Sequence, residues 1–170
     1  ERKKQMEWNL LPVLNCDGKR MQLDTEVAVT AQSGDRFRIL KPVLLKGEVV
    51  NVSGLLEFHA ACTAEVGAVC DRCAEPYTMQ LDFTVDERMK KADPYQETDG
   101  DSDIRILKND VLDLDEVVYE ALYLALPGKM LCREDCKGLC PMCGQNLNLG
   151  SCHCDTEETD PRFDVLNQLL

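Results

Sequence analysis

Six cysteines fall within the 24 residues from Leu131 to Cys154, LCREDCKGLCPMCGQNLNLGSCHC, and no other stretch restricts the fold so tightly. In Cys140-Pro141-Met142-Cys143-Gly144, two thiols two residues apart lie on a turn closed by glycine and can face one ion. Cys152 and Cys154 follow, giving a C-x2-C-x8-C-x-C span short enough to close one tetrahedron. Zinc favours four such soft ligands at about 2.3 Å each, and the spacing points to bound metal. Because this set is local, its loop costs little entropy to close.

Two further thiols, Cys132 and Cys136, precede the set, and another pair lies far upstream in Val69-Cys70-Asp71-Arg72-Cys73. Cys70, Cys73, Cys132 and Cys136 are expected to form a second four-thiolate site that ties the middle of the chain to its tail. Spacing alone leaves open a single site with Cys132 and Cys136 as bystanders. His153 is an alternative ligand, although its expected place is exposed between two ligands. Cys16 and Cys62 have no spaced partner and read as plain small residues. Disulfide scaffolds are usually short secreted chains, whereas this sequence has 170 residues and opens without a signal-peptide pattern. A thiol oxidoreductase needs a strand before its C-x2-C and a helix beginning at the first thiol. Lys137-Gly138-Leu139 and Gly144 supply neither, so structural zinc in a reducing cytosol fits better.

The run from Cys132 through Gly144, then Asn146-Leu147-Asn148, Cys152-x-Cys154 and Asp160-Pro161-Arg162, resembles the C-terminal signature of the YceD family. Cys70-Asp71-Arg72-Cys73-Ala74-Glu75-Pro76 and Leu124-Ala125-Leu126-Pro127 resemble further landmarks of the same family. The resemblance spans roughly residues 40 to 170, and residues 1 to 40 match weakly. These bacterial and plastid proteins are named for accumulation of large-subunit ribosomal RNA. The resemblance therefore implies a role in the synthesis, processing or stability of 23S rRNA.

Charge narrows the partners. The formal net charge is -12. Residues 1–92 carry 13 basic and 14 acidic side chains, whereas residues 93–170 carry 6 and 17. Each zinc held by four thiolates is a -2 centre, so two would move the total to roughly -16. Affinity for bare RNA comes largely from cations neutralising phosphates. A basic large-subunit ribosomal protein, or a pre-ribosomal particle presenting one, is thus the expected partner, with rRNA contact weak. Arg36, Arg38, Lys41 and Lys46 form the densest positive stretch after the N-terminus; a solvated strand face is its plain reading and phosphate contact the sharper one. No apolar run approaches the ~20 residues of a membrane span.

Met21 to Val29 alternates as a half-buried strand does. From Pro42 to Arg88 short β-prone runs follow: 43–45, 48–52, 55–60 and 63–66, punctuated by Gly47, Ser53-Gly54 and Gly67, then 77–85. Cys70 and Cys73 fall on a turn between two strands, where paired thiols can face outward. His59, in an apolar strand, reads as a satisfied side chain. Ala92 to Ser102 is a polar acidic loop, and Ile104 to Leu107 one more strand. Asp113 caps the clearest helix, with Glu116 at capping-box spacing and Leu114, Val117, Val118, Ala121, Leu122 and Ala125 on one face. Asp115, Glu116 and Glu120 read as its solvated face, and Pro127-Gly128 ends it. Asp160-Pro161 opens a short terminal helix carrying Phe163, Leu166 and Leu170.

The expected fold is α+β: an antiparallel sheet or small barrel, one long helix, and a zinc-stapled C-terminal lobe. Its expected segments are a mainly β region over 1–91, a flexible acidic loop over 92–102, a strand and long helix over 103–130, and the cysteine-rich lobe with its terminal helix over 131–170. The function expected is that of a cytoplasmic bacterial ribosome-biogenesis factor that binds rather than catalyses, with two structural zinc ions. A zinc-dependent hydrolase is the alternative from another class, but it needs an open ligand position and usually histidine or carboxylate ligands. A redox-switched zinc protein, which loses metal on oxidation, is the third.

Overall fold

The computed structural model of the chain describes residues 6–92 and 103–154. The expected terminal helix and residues 93–102 of the expected acidic loop lie outside them. The chain divides into two compact units, Glu1–Ala68 with Thr78–Gly128, and Val69–Tyr77 with Lys129–Leu170.

The first unit is mostly β. It contains β1 (Glu7–Asn9), α1 (Leu11–Leu14), β2 (Arg20–Val27), β3 (Phe37–Ile39), β4 (Val43–Val52), nearly all of β5 (Leu55–Val69) and β6 (Pro76–Lys91), β7 (Ile104–Leu107), β8 (Val111–Asp113) and α2 (Leu114–Ala125). The main sheet runs β2-β4-β5-β6-β7, with β3 also pairing β5, and curls as a half-barrel; β1 and β8 form a separate ribbon. Pairing is antiparallel for β2 with β4, β4 with β5 and β3 with β5. β7 departs from the expected antiparallel pattern and runs parallel to β6, from Arg88↔Ile104 to Lys91↔Leu107. Residues 92–103, which join these strands, are about the dozen that a parallel return requires.

Two strands are longer than the short runs expected. Positions 43–52 are one strand because Gly47 does not interrupt it. A Cβ there would lie 2.5 Å from both the Ala60 Cβ and the His59 carbonyl oxygen, so the glycine admits a close approach of β5. β5 is likewise continuous over 15 residues, with Leu56, Phe58, Ala60, Cys62, Ala64, Val66 and Ala68 buried at every second position. Ser53-Gly54 is a true turn, with φ of 53° and 89°, which suits a tight hairpin. On the outer side, Thr63 pairs with Asp82 and His59 with Asp86, two contacts that hold β5 and β6 antiparallel. His59 is therefore satisfied by a carboxylate.

The α2 helix begins where its cap residue predicts. The Asp113 carboxylate accepts hydrogen bonds from the Asp115 and Glu116 amides, and Leu114, Val117, Val118 and Leu122 are buried. Its acidic face is organised by Arg105 of β7, which pairs with Glu87 at 3.2 Å, with Glu116 at 3.4 Å and with Glu120. Asn51 holds an unexpected post. It is buried, its Nδ2 donates to the carbonyls of Val13 and Leu14 at 2.8 and 3.0 Å, and its Oδ1 accepts from the Gly54 amide. One side chain thus satisfies the end of α1 and the β4–β5 turn together. Two cations of the positive stretch are ion-paired: Lys41 with Glu65 at 2.6 Å and Lys46 with Asp24 at 3.1 Å.

Candidate metal centres

All eight clustered cysteines belong to the second unit, and its backbone explains how they converge. The turn from Cys70 to Glu75 and the loop from Cys140 to Gln145 have the same hydrogen-bond pattern. In the first, the Cys70 amide donates to the Glu75 carbonyl and the Ala74 amide to the Cys70 carbonyl, both at 2.9 Å. In the second, the Cys140 amide donates to Gln145 at 2.8 Å and the Gly144 amide to Cys140 at 2.9 Å. Each turn needs a left-handed residue just after its second cysteine: Gly144 has φ +74°, and Ala74 takes the same position at φ 58°. In both, C-x2-C folds around a reversal that aims two thiols the same way.

The sequence-predicted ligands come together as two sets. Cys70, Cys73, Cys132 and Cys136 form one and Cys140, Cys143, Cys152 and Cys154 the other, with the sulfurs of each set within 4.8 Å of one another. In the first set the Cys70 and Cys136 sulfurs are 3.8 Å apart and those of Cys73 and Cys132 3.7 Å. A disulfide would bring two sulfurs to about 2.05 Å. Four thiolates at about 2.3 Å from a tetrahedral zinc stand about 3.8 Å from one another, so this spacing fits a metal. Cys70, Cys73, Cys136 and Cys140 are buried, although a turn between strands is a place where Cys70 and Cys73 can face outward. Tyr77, Leu131 and Cys132 pack against Cys70, Cys73 and Cys136, which encloses the first set in apolar surface. His153 is exposed between Cys152 and Cys154 and belongs to neither set.

In each set, backbone amides favour charge on one thiol. Burial pushes the Cys70 thiol up, but the backbone amides of Cys132, Cys73 and Arg72 outweigh it and bring the pKa down to about 6. The Cys143 and Met142 amides hold Cys140 at about 6 as well. Thiols beside those charges are driven the other way. Burial and then Cys70, Cys73 and Cys136 raise Cys132 to about 12, while Cys143 and then burial raise Cys154 to about 12. Each set thus pairs a thiol whose charge is favoured, Cys70 or Cys140, with one whose charge burial and its neighbours oppose, Cys132 or Cys154. A divalent cation resolves the conflict, because it stabilises all four thiolates together.

Outer contacts orient the sulfurs. Burial raises Cys136, but the Asn148 amide, donating to its sulfur at 3.4 Å, helps to lower it below the ordinary value. The Asp71 carboxylate accepts from the Met130 amide at 2.8 Å, and the Asp71 amide returns a bond to the Met130 carbonyl at 2.8 Å. Arg72 donates to the Cys136 carbonyl at 2.9 Å, and its own carbonyl accepts from the Leu139 amide at 3.1 Å. Gly138, at φ +77°, lies so close that a Cβ would meet the Arg72 carbonyl oxygen at 3.1 Å. These supporting residues carry no metal-ligand spacing of their own; Asp71, Arg72, Gly138, Leu139 and Asn148 lie in the runs that resemble the family signature, and Met130 lies outside them.

A family profile described as large ribosomal RNA subunit accumulation protein YceD matches residues 58–170. An uncharacterized protein of Mycobacterium tuberculosis is 31% identical over 118 residues, covering 69% of this chain and 56% of the relative. A maize chloroplast protein called large ribosomal RNA subunit accumulation protein YCED homolog 1 is 28% identical over 143 residues, covering 66% of this chain and 48% of its own length. The Arabidopsis thaliana protein of the same name is 33% identical over 58 residues, 34% of this chain and 18% of that protein. The chain spans about half the length of the first of these relatives. No solved structure matches it.

Proposed function

The chain belongs to the YceD family, and from that membership and its paired four-thiol sets we propose that it is a ribosome-biogenesis factor. It supports accumulation of large-subunit rRNA, at synthesis, processing or stability, by binding. Two zinc ions hold its cysteine-rich unit in shape. The observation that carries the zinc reading is the closure of both sets by thiols alone. Four thiolates complete a tetrahedron and leave no position for a reacting water, so each centre is structural rather than hydrolytic. Free thiols so arranged suit a reducing compartment, in keeping with a cytoplasmic protein of bacterial type.

The direct partner is a basic ribosomal protein within a pre-ribosomal particle. Residues 93–170 carry 17 acidic against 6 basic side chains, and the thiolate centres add further negative charge. That charge disfavours a phosphate backbone and favours a basic protein, with an association rate that falls as salt rises. Ion pairing of Lys41 and Lys46 leaves few cations for phosphate in the positive stretch. Affinity capture from lysate with and without RNase tests the proposal. Large-subunit proteins retained after RNase are the expected result. Loss of every ribosomal protein on RNase treatment, with tight and steeply salt-dependent binding to a purified 23S rRNA fragment, overturns the choice of partner.

A further inference from the structure

We propose that Asn148 is a positioning residue that couples the two four-thiol centres, so that filling one prepares the other. The inference rests on the reading of both sets as metal centres. Asn148 lies between Cys143 and Cys152, in the loop that the Cys140 set closes, yet its side chain attends to a ligand of the Cys70 set. Its Nδ2 donates to the Cys136 sulfur at 3.4 Å. Its Oδ1 accepts from the Lys137 amide at 2.8 Å and from Arg133 at 2.7 Å. Two donors on Oδ1 settle which end of the amide is oxygen and leave the NH2 for sulfur.

The rest of the loop is fastened to the same neighbours. The Leu147 amide donates to the Gly138 carbonyl at 2.9 Å, and Asn146 Nδ2 reaches Glu75 of the upstream turn at 3.4 Å. Asn146 Oδ1 accepts from both the backbone amide and Nδ2 of Asn148, at 3.0 and 2.9 Å. When a metal holds Cys143 and Cys152, the ends of this loop are fixed and Asn148 is delivered to Cys136. When that metal is absent, the loop is released and the Cys136 thiolate loses its donor. An outer-shell partner of this kind typically changes metal affinity 10- to 100-fold.

Cobalt(II) and zinc(II) titrations of the full chain test this, under anaerobic reducing conditions and followed by the sulfur-to-cobalt charge-transfer band. Cys143→Ser, which opens the local set, is expected to weaken cobalt binding at the Cys70 set about 10-fold or more. Asn148→Asp keeps the acceptor for Lys137 and Arg133 but replaces the donor to sulfur with an oxygen. It is expected to weaken the Cys70 set to a similar degree and to move that set's charge-transfer band to lower energy. Adding Cys143→Ser to Asn148→Asp is expected to cost the Cys70 set little more. Asn148→Leu, which removes donor and acceptor alike, should reproduce the band shift. Two cobalt ions bound with wild-type affinity and spectrum in Asn148→Asp, or a Cys70 set indifferent to Cys143→Ser, overturn the coupling and leave the centres standing. Failure of the unaltered chain to take up cobalt or zinc removes the centres themselves.

Discussion

Ala74 and Gly144 occupy equivalent positions in two turns of the same form, and only one of them is glycine. A left-handed L-residue costs about 1–2 kcal/mol, whereas glycine adopts that conformation freely. Space is no obstacle at Gly144, because a Cβ there would meet nothing within 4 Å. Gly144→Ala is therefore expected to destabilise the cysteine-rich unit by up to about 1 kcal/mol, the left-handed backbone cost less the entropy that alanine removes from the unfolded chain. Ala74→Gly is expected to stabilise it by up to about 1 kcal/mol, since part of the gain is offset by extra entropy in the unfolded chain. Denaturant midpoints at fixed free zinc check both signs. The thiols outside the two sets behave differently from each other. Cys16 is exposed, while Cys62 is buried in β5 and burial raises its pKa from about 9 to about 11. The folded state holds the Cys62 proton more tightly than the unfolded chain. Its contribution to stability is therefore complete below pH 9 and is lost as pH rises toward 11. In the native protein Cys16 is expected to alkylate and Cys62 to resist until denaturation. Stability of Cys62→Ala should be flatter than wild type between pH 8 and 10.5.

At the scale of elements, strands β4 and β5 depend on a single missing side chain. Gly47 faces Ala60 across the pair, and a Cβ would collide with backbone as well as side chain. Gly47→Ala is expected to destabilise the first unit by about 1–3 kcal/mol, the usual cost of overpacking where nothing can yield. Gly67→Ala is the control. The three atoms nearest its Cβ would all belong to the Leu40 side chain, the first at 3.2 Å, and Leu40 is about half exposed and free to move. Thermal unfolding of the two variants should separate them clearly. Cooperative loss of equal size in both would show that the strain is not local to the β4–β5 contact.

For the whole molecule, the two units predict an uneven response to metal removal. The first unit has its own apolar core, including Val27, Leu45, Leu56, Phe58, Val118 and Leu122. The second draws its compactness from eight thiols and short turns, and structural zinc contributes folding energy directly, about 10–16 kcal/mol of apparent binding in small zinc modules. Chelation is therefore expected to release hydrogen-exchange protection over residues 69–77 and 129–154 while strands β2, β4 and β5 stay protected. Acid should act in the same direction, because protonated thiols release metal. Cys73→Ser is expected to resemble chelation within the second unit. Protection lost uniformly along the chain would show that the sheet needs the metal too.

The residues that could meet a metal were readable from spacing, because C-x2-C on a tight turn has few other uses. The cap of α2 and the alternation of β2 were equally local, since a helix start and a strand face are properties of neighbouring residues. The acidic bias of residues 93–170 needed no fold at all. Gly47 looked like a break because isolated glycine usually punctuates strands, and only the approach of Ala60 from 13 residues away shows why it sits inside one. Asn51, Arg105 and Asn148 act on partners distant in the chain, so no window of sequence contains their role. Whether β7 ran parallel or antiparallel was undecided by its four residues. The pairing of Cys70 and Cys73 with Cys132 and Cys136 was an expectation from what remained; the tertiary structure brought these four sulfurs together, because closing a gap of about 60 residues depends on everything folded between.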